Sequence, residues 1–189
     1  MGLLSVLFGR TKLRKPNREQ FFSAVTAAES LSGRTDLVPT GKAGVVFNPV
    51  ESTFFENLDT ELRDLLQISG RATDTHYEIK NDSYGTRWVA LEDQHFEDLV
   101  STIHLVAETI ADHGFADRLL AAALQFRYED KNAYWIYNYK RGKFYPFVLS
   151  SPQQRDNAAE LRLGSLMEGE KIPVQKDLEQ WYALWGIPF

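Results

Sequence analysis

The stretch from Leu120 to Val148 constrains this chain most, because apolar and aromatic side chains fill three runs in it separated by short turn-forming segments. Ala122, Leu124, Phe126 and Tyr128 alternate with polar Gln125 and Arg127, a period of two that suits a strand and not a helix. Glu129 to Asn132 reads as a turn, Ala133 to Lys140 is dense in Tyr and Trp, and Arg141-Gly142 precedes another aromatic run to Val148. Three consecutive strands joined by tight turns form an antiparallel meander. Such a meander must bury a face, so other elements have to cover it.

Helical periodicity supplies the cover. Asn17 with Gln20 three residues on has capping-box spacing, and Phe21, Val25 and Ala28 place a first helix over 18–32, stopped by Gly33. Gly44 to Val50 reads as a brief strand. Thr53 and Glu56 repeat the capping spacing ahead of a second helix, whose face is Phe54, Phe55, Leu58, Leu62, Leu65 and Leu66 up to Gly70. Tyr77 and Ile79, then Trp88 to Leu91, form a hairpin around the turn-rich 81–85 segment. Asp93 suits the cap of a third helix of about five turns ending at Gly114. A fourth helix is expected from Ser151 to Gly169, and a short final one with Leu178, Trp181, Tyr182 and Trp185 on its docked face. The tail from Pro173 is expected to wrap back. The fold class is α+β, with a mainly antiparallel sheet of about five to six strands and helices packed on it.

The chain has 189 residues, 43% hydrophobic and 25% charged, enough for a single domain over 17–189 preceded by an apolar and basic tract over 1–16. Its net charge of -5 argues against a general nucleic-acid coat, and the absence of Cys excludes disulfides and thiolate chemistry. A cytoplasmic location follows as the expectation, and Leu3 to Phe8 is far shorter than the roughly 20 apolar residues of a membrane span.

Catalytic motifs fare poorly. Thr40-Gly41-Lys42-Ala43 lacks the spaced glycine and the hydroxyl of a phosphate loop, and Ser83-Tyr84-Gly85 lacks the flanks of a nucleophile elbow. His104, Glu108 and Asp112 recur every four residues and offer ligands for an ion, although three polar residues on an outer helix face are ordinarily just solvated. No catalytic residue, metal or cofactor is therefore expected.

Two surface features remain. Leu3, Leu4, Leu7 and Phe8 would share one helical face, followed at once by Arg10, Lys12, Arg14 and Lys15, a pairing suited to a partner or to an anionic membrane surface. Packing of the apolar residues on the sheet explains the same pattern. Further on, Lys140, Arg141 and Lys143 are interleaved with Tyr139, Phe144, Tyr145 and Phe147, and Arg155 follows soon after. Basic and aromatic groups side by side can hold an anion or an acidic partner; ordinary strand packing and a soluble turn account for them equally.

Several motifs resemble the PspA-associated family called PspAB: Leu7-Phe8-Gly9-Arg10-Thr11-Lys12, Pro39-Thr40-Gly41, Asp82-Ser83-Tyr84-Gly85 with Trp88, Tyr139 to Phe147, Arg155-Asp156-Asn157 with Glu160, and the tail with Trp181 and Trp185-Gly186. The resemblance spans nearly the whole chain. It implies association with phage-shock protein A, a peripheral membrane coiled-coil protein of the envelope-stress response, and it carries no enzymatic activity or catalytic set. The expected function is thus a non-enzymatic cytoplasmic adaptor at the inner face of the membrane, with Leu3, Leu4, Leu7, Phe8, Arg10, Lys12, Arg14 and Lys15 as one contact. Lys140, Arg141, Lys143, Tyr145 and Arg155 form the other. The alternative is a domain that binds or transforms a small anion at the Lys140, Arg141, Lys143 and Arg155 cluster, and nucleic acid is not an expected partner.

Overall fold

A computed structural model describes residues 17–50 and 53–189, so the 1–16 tract and its eight singled-out residues lie outside the described part. Four helices, α1 (Arg18–Ser32), α2 (Thr53–Thr73), α3 (Phe96–Ile110) and α4 (Asn157–Gly169), accompany seven strands. The strands are β1 (Val38–Phe47), β2 (His76–Asn81), β3 (Arg87–Glu92), β4 (Leu119–Tyr128), β5 (Lys131–Asn138), β6 (Lys143–Ser151) and β7 (Gln154–Arg155). They form one sheet in the order β2-β3-β1-β4-β5-β6-β7, and every pairing is antiparallel. The expected α+β class holds, with one more strand than anticipated.

Register divides the sheet into two faces. Val45, Val89 and Ala122 stand abreast, as do Ala123 and Ile136, one residue out of phase, so alternate residues face opposite ways. The first face carries α1, α2 and α3. Phe21 of α1 meets Tyr137 and Phe144, Phe55 of α2 meets Phe47, and Phe96 of α3 meets Phe126, with ring centroids 4.9–6.0 Å apart among these and the adjoining Tyr137–Phe144 pair. Among the described residues the second face carries no helix. Its Gly44, Trp88, Tyr134 and Phe147 lie beneath an extended tail, with Trp185 against Phe147 and Phe189 against Trp88 and Tyr134.

Buried Gln125 pins that tail. Its amide donates to the Tyr134 hydroxyl (3.1 Å) and the Phe189 carbonyl (3.2 Å), while its own carbonyl accepts from Thr40 Oγ1 (2.6 Å). The expected final helix is absent: one 3-10 turn, Leu178–Gln180, precedes extended chain. Trp181, Ala183, Trp185, Ile187 and Phe189 have strand period as well as partial helical spacing, and a flat aromatic face is better covered by an extended segment.

The edge beyond β6 is closed residue by residue. Phe144, Pro146 and Val148 point their main-chain groups outward. Phe144 exchanges bonds with Pro173 and Gln175 (2.9 and 2.8 Å), Pro146 has no N–H, and the Val148 carbonyl accepts from Asp156 N–H (2.8 Å). The Val148 N–H goes to a carboxylate oxygen of Glu160, only 2% exposed, at 3.0 Å. Arg155 grips both Glu160 oxygens at 2.9 and 2.8 Å and donates to the Trp181 carbonyl at 2.6 Å. This explains why α4 begins at Asn157 under an Asp156 cap and not at Ser151: residues 154–155 are first used as β7.

Other boundaries moved for local reasons. β1 starts at Val38, six residues earlier than its apolar run suggests, because Pro39 and Ala43 both pair with β4 around a bulge at Gly41, whose φ is +78°. The capping group of α3 is displaced too: Asp93 accepts from His95 N–H (2.7 Å) and from Thr75 Oγ1 (2.5 Å), and His95 occupies the cap position. After Ile110 the helix widens and stops at Gly114, φ +85°, as its sequence predicts.

Of the His104, Glu108 and Asp112 stripe, Glu108 and Asp112 are exposed as a solvated helix face would have them, and His104 is not. His104 is buried between Phe21 (6.4 Å) and Phe22 (5.5 Å) of α1, and its Nε2 lies 3.3 Å from Glu108. Burial pushes its pKa below the ordinary histidine value; Glu108 pulls it up and Arg18 of α1 adds to the lowering.

Two outcomes follow from these contacts. Glu160→Ala strands the Arg155 guanidinium and the Val148 N–H, and is expected to cost about 3 kcal/mol in urea unfolding. His104 binds a proton more readily unfolded than folded, so stability is full above about pH 6.5 and falls as pH drops through that value. Unfolding free energies at pH 7.5 and 5.5 are expected to differ in the wild type, and the part of that difference due to His104 is expected to vanish in His104→Leu.

Candidate functional site

The β5–β6 connection shows how sequence builds an exposed basic tip on an apolar base. Asn138 organises it: its side chain accepts from Lys140 N–H (3.0 Å), and its carbonyl accepts from Arg141 (3.2 Å) and Gly142 (2.8 Å). Gly142 takes φ +63°, a left-handed conformation that glycine adopts without steric cost. Lys140 and Arg141 are exposed and Lys143 is half-buried. Among the described residues none of the three enters an ion pair.

The interleaved aromatic residues do not share that surface. Tyr139, Phe144, Tyr145 and Phe147 are all buried, which follows from strand alternation and from a second face covered by the tail. Tyr145 was expected as a contact residue; at 3% exposure it is instead part of the core, and burial drives its pKa up, against the pull of Arg155. Burial also raises the pKa of Tyr139, whose hydroxyl has no hydrogen-bond partner among the described residues. Arg155 is likewise removed from the expected cluster. It pairs with Leu149, six residues along β6 from Lys143 or roughly 20 Å of strand, and its charge is taken by Glu160. Its neighbour Asp156 is bonded by Lys131 at the start of β5 (2.8 Å), which holds its pKa below the carboxylate norm.

What joins the basic tip is the start of α1. A Cβ on Gly142 would lie 3.5 Å from Gln20 Oε1 and 3.6 Å from the Tyr137 hydroxyl. Tyr137 is also hydrogen-bonded to the Asn17 main chain, a bond that lowers its pKa while burial, the larger effect, raises it. Asn17 in turn caps α1 through Gln20 N–H (3.1 Å). The first turn of α1, with Arg18 stacked over Phe22 at 5.3 Å, therefore abuts the Lys140–Lys143 turn, and Arg18, Lys140, Arg141 and Lys143 against Glu19 leave one cationic corner. Sequence reasoning did not connect the start of α1 with the hairpin; their proximity is tertiary and no local signal marks it.

Among the described residues one group could hold a metal ion, Asp93, His95 and Asp98, whose ligand atoms lie within 4.8 Å of one another. Sequence reading passed over it. Both Asp93 oxygens already accept hydrogen bonds, and the partial positive charge at the start of α3 opposes a cation, so capping accounts for the group. Also among the described residues, no helix is long and apolar enough to cross a membrane.

Comparison with known proteins agrees with the motif resemblance. No curated protein and no solved structure matches the chain. The model of the family described as PspAB, PspA associated protein B, matches residues 1–189. Over its whole length, the chain belongs to the PspA associated protein B family.

Proposed function

We propose that this protein is a non-enzymatic cytoplasmic adaptor of a PspA system and that the corner formed by the start of α1 and the β5–β6 turn is its contact surface. The observation that carries this reading is the abutment of Gly142 on Gln20, because it sets the start of α1, with Arg18, beside the basic turn. Arg18, Lys140, Arg141 and Lys143 thus gather on a chain whose net charge is -5, and Arg10, Lys12, Arg14 and Lys15 precede them in the sequence. Local positive charge on an acidic protein favours an acidic partner or anionic lipid headgroups, at about 1 kcal/mol per basic residue near a charged membrane. Leu3, Leu4, Leu7 and Phe8 add the apolar component that peripheral binding needs.

Lys140→Glu combined with Arg141→Glu leaves the aromatic core untouched. It is expected to weaken binding to PspA or to phosphatidylglycerol vesicles more than tenfold, with further loss on deleting residues 2–15. Co-sedimentation and vesicle flotation read both arms. Unchanged binding in both variants would remove the corner from the function.

A further inference from the structure

The two edges of the sheet are treated differently. The edge beyond β6 is closed by Glu160, Asp156, Pro173 and Gln175, whereas β2 at the opposite end has, among the described residues, β3 alone as a strand neighbour. The hairpin closes with Asp82 N–H to Thr86 O (3.0 Å), and the register from there is unbroken. Bonds to β3 therefore fall at Lys80, Glu78 and His76, and the main-chain groups of Tyr77, Ile79 and Asn81 point away from the sheet. Among the described residues, no main-chain bond outside the β3 ladder reaches these three. The edge is six residues long, without proline, glycine or bulge. Unprotected edges of this kind template pairing with a further strand.

The side chains select the partner. Tyr77 and Ile79 face the helical side, together with Leu91 and Val89; Glu78 and Lys80 face the tail side, together with Ala90 and Trp88. We propose that β2 pairs antiparallel with β2 of a second copy, about a two-fold axis at Ile79, to make one continuous sheet through two protomers.

Outward groups must oppose outward groups, which leaves registers centred on Glu78, Ile79 or Lys80. Centring on Glu78 sets Glu78 against itself, and centring on Lys80 sets Lys80 against itself and Glu78 against Asp82. Centring on Ile79 places Glu78 opposite Lys80 of the second copy twice over, Ile79 opposite Ile79 and His76 opposite Asp82. The Glu78–Lys80 pairs fall at non-hydrogen-bonded positions, where side chains approach most closely. Both residues are available, at 65% and 38% side-chain exposure, and within one protomer they already pair at 2.8 Å. A self-complementary patch is what two-fold association requires. The surface lies at the other end of the sheet from the cationic corner, five strand spacings or about 24 Å away, so it stands independently of the adaptor reading.

Sedimentation velocity of the full chain across the micromolar range is expected to show a monomer–dimer equilibrium. Glu78→Lys and Lys80→Glu each set like charges face to face, and each is expected to weaken dimerisation about tenfold or more, while the double exchange restores it. Ile79→Pro removes an outward N–H without touching the β3 ladder and is expected to yield monomer with unchanged far-ultraviolet circular dichroism. A chain monomeric at every concentration, or a dimer indifferent to both charge reversals and to the proline, overturns the proposal.

Discussion

The buried Glu160 carboxylate holds the sheet's closed edge together. A carboxylate 2% exposed persists only when its charge and lone pairs are met, and here Arg155 supplies the charge and the second oxygen's partner while Val148 supplies a main-chain N–H. That one group ties β6 to β7 and β7 to α4. Through the Arg155 bond to the Trp181 carbonyl it also sets where the tail turns onto the second face. Remove it and three layers lose a common anchor. The same contact fixes the first turn of α4, since Asp156 must leave β7 already oriented to cap it.

How much of this was legible depends on the range of the forces involved. The meander of β4, β5 and β6 and helices α1, α2 and α3 follow from periodicity and caps, which are local: Asn17 does cap α1, and Gly114 does stop the run after α3. β7, the long first half of β1 and the extended form of the tail were not legible, although the tail's return over the domain was. β7 exists because β6 needs covering, the 38–43 segment pairs because a bulge lets a polar stretch join β4, and the tail is extended because a flat aromatic face awaits it. In each case a tertiary neighbour overrides local preference.

The candidate site divides the same way. That Lys140 and Arg141 crown a turn could be read from Arg-Gly between aromatic runs, and the structure shows them exposed. Tyr145 and Arg155 could not be placed from sequence, because whether a strand's second face meets water or a tail is decided by residues 173–189, and whether an arginine is available is decided by Glu160 five residues on. The eight tract residues lie outside the described chain. The family match to PspA associated protein B extends over all of these regions at once.

The central position of β1 has a consequence for the order in which the molecule is made. This strand sits between β3 and β4, and its second neighbour ends at Tyr128, some eighty residues after β1 itself. A nascent chain emerging from the ribosome therefore carries β1, β2 and β3 as a small sheet with an apolar rim bare until β4 arrives. Pairing at such sequence separation is slow, and exposed rims invite errors. The helices α1 to α3, all but α1 completed within that interval, are then the parts available to shield the unfinished sheet while translation continues.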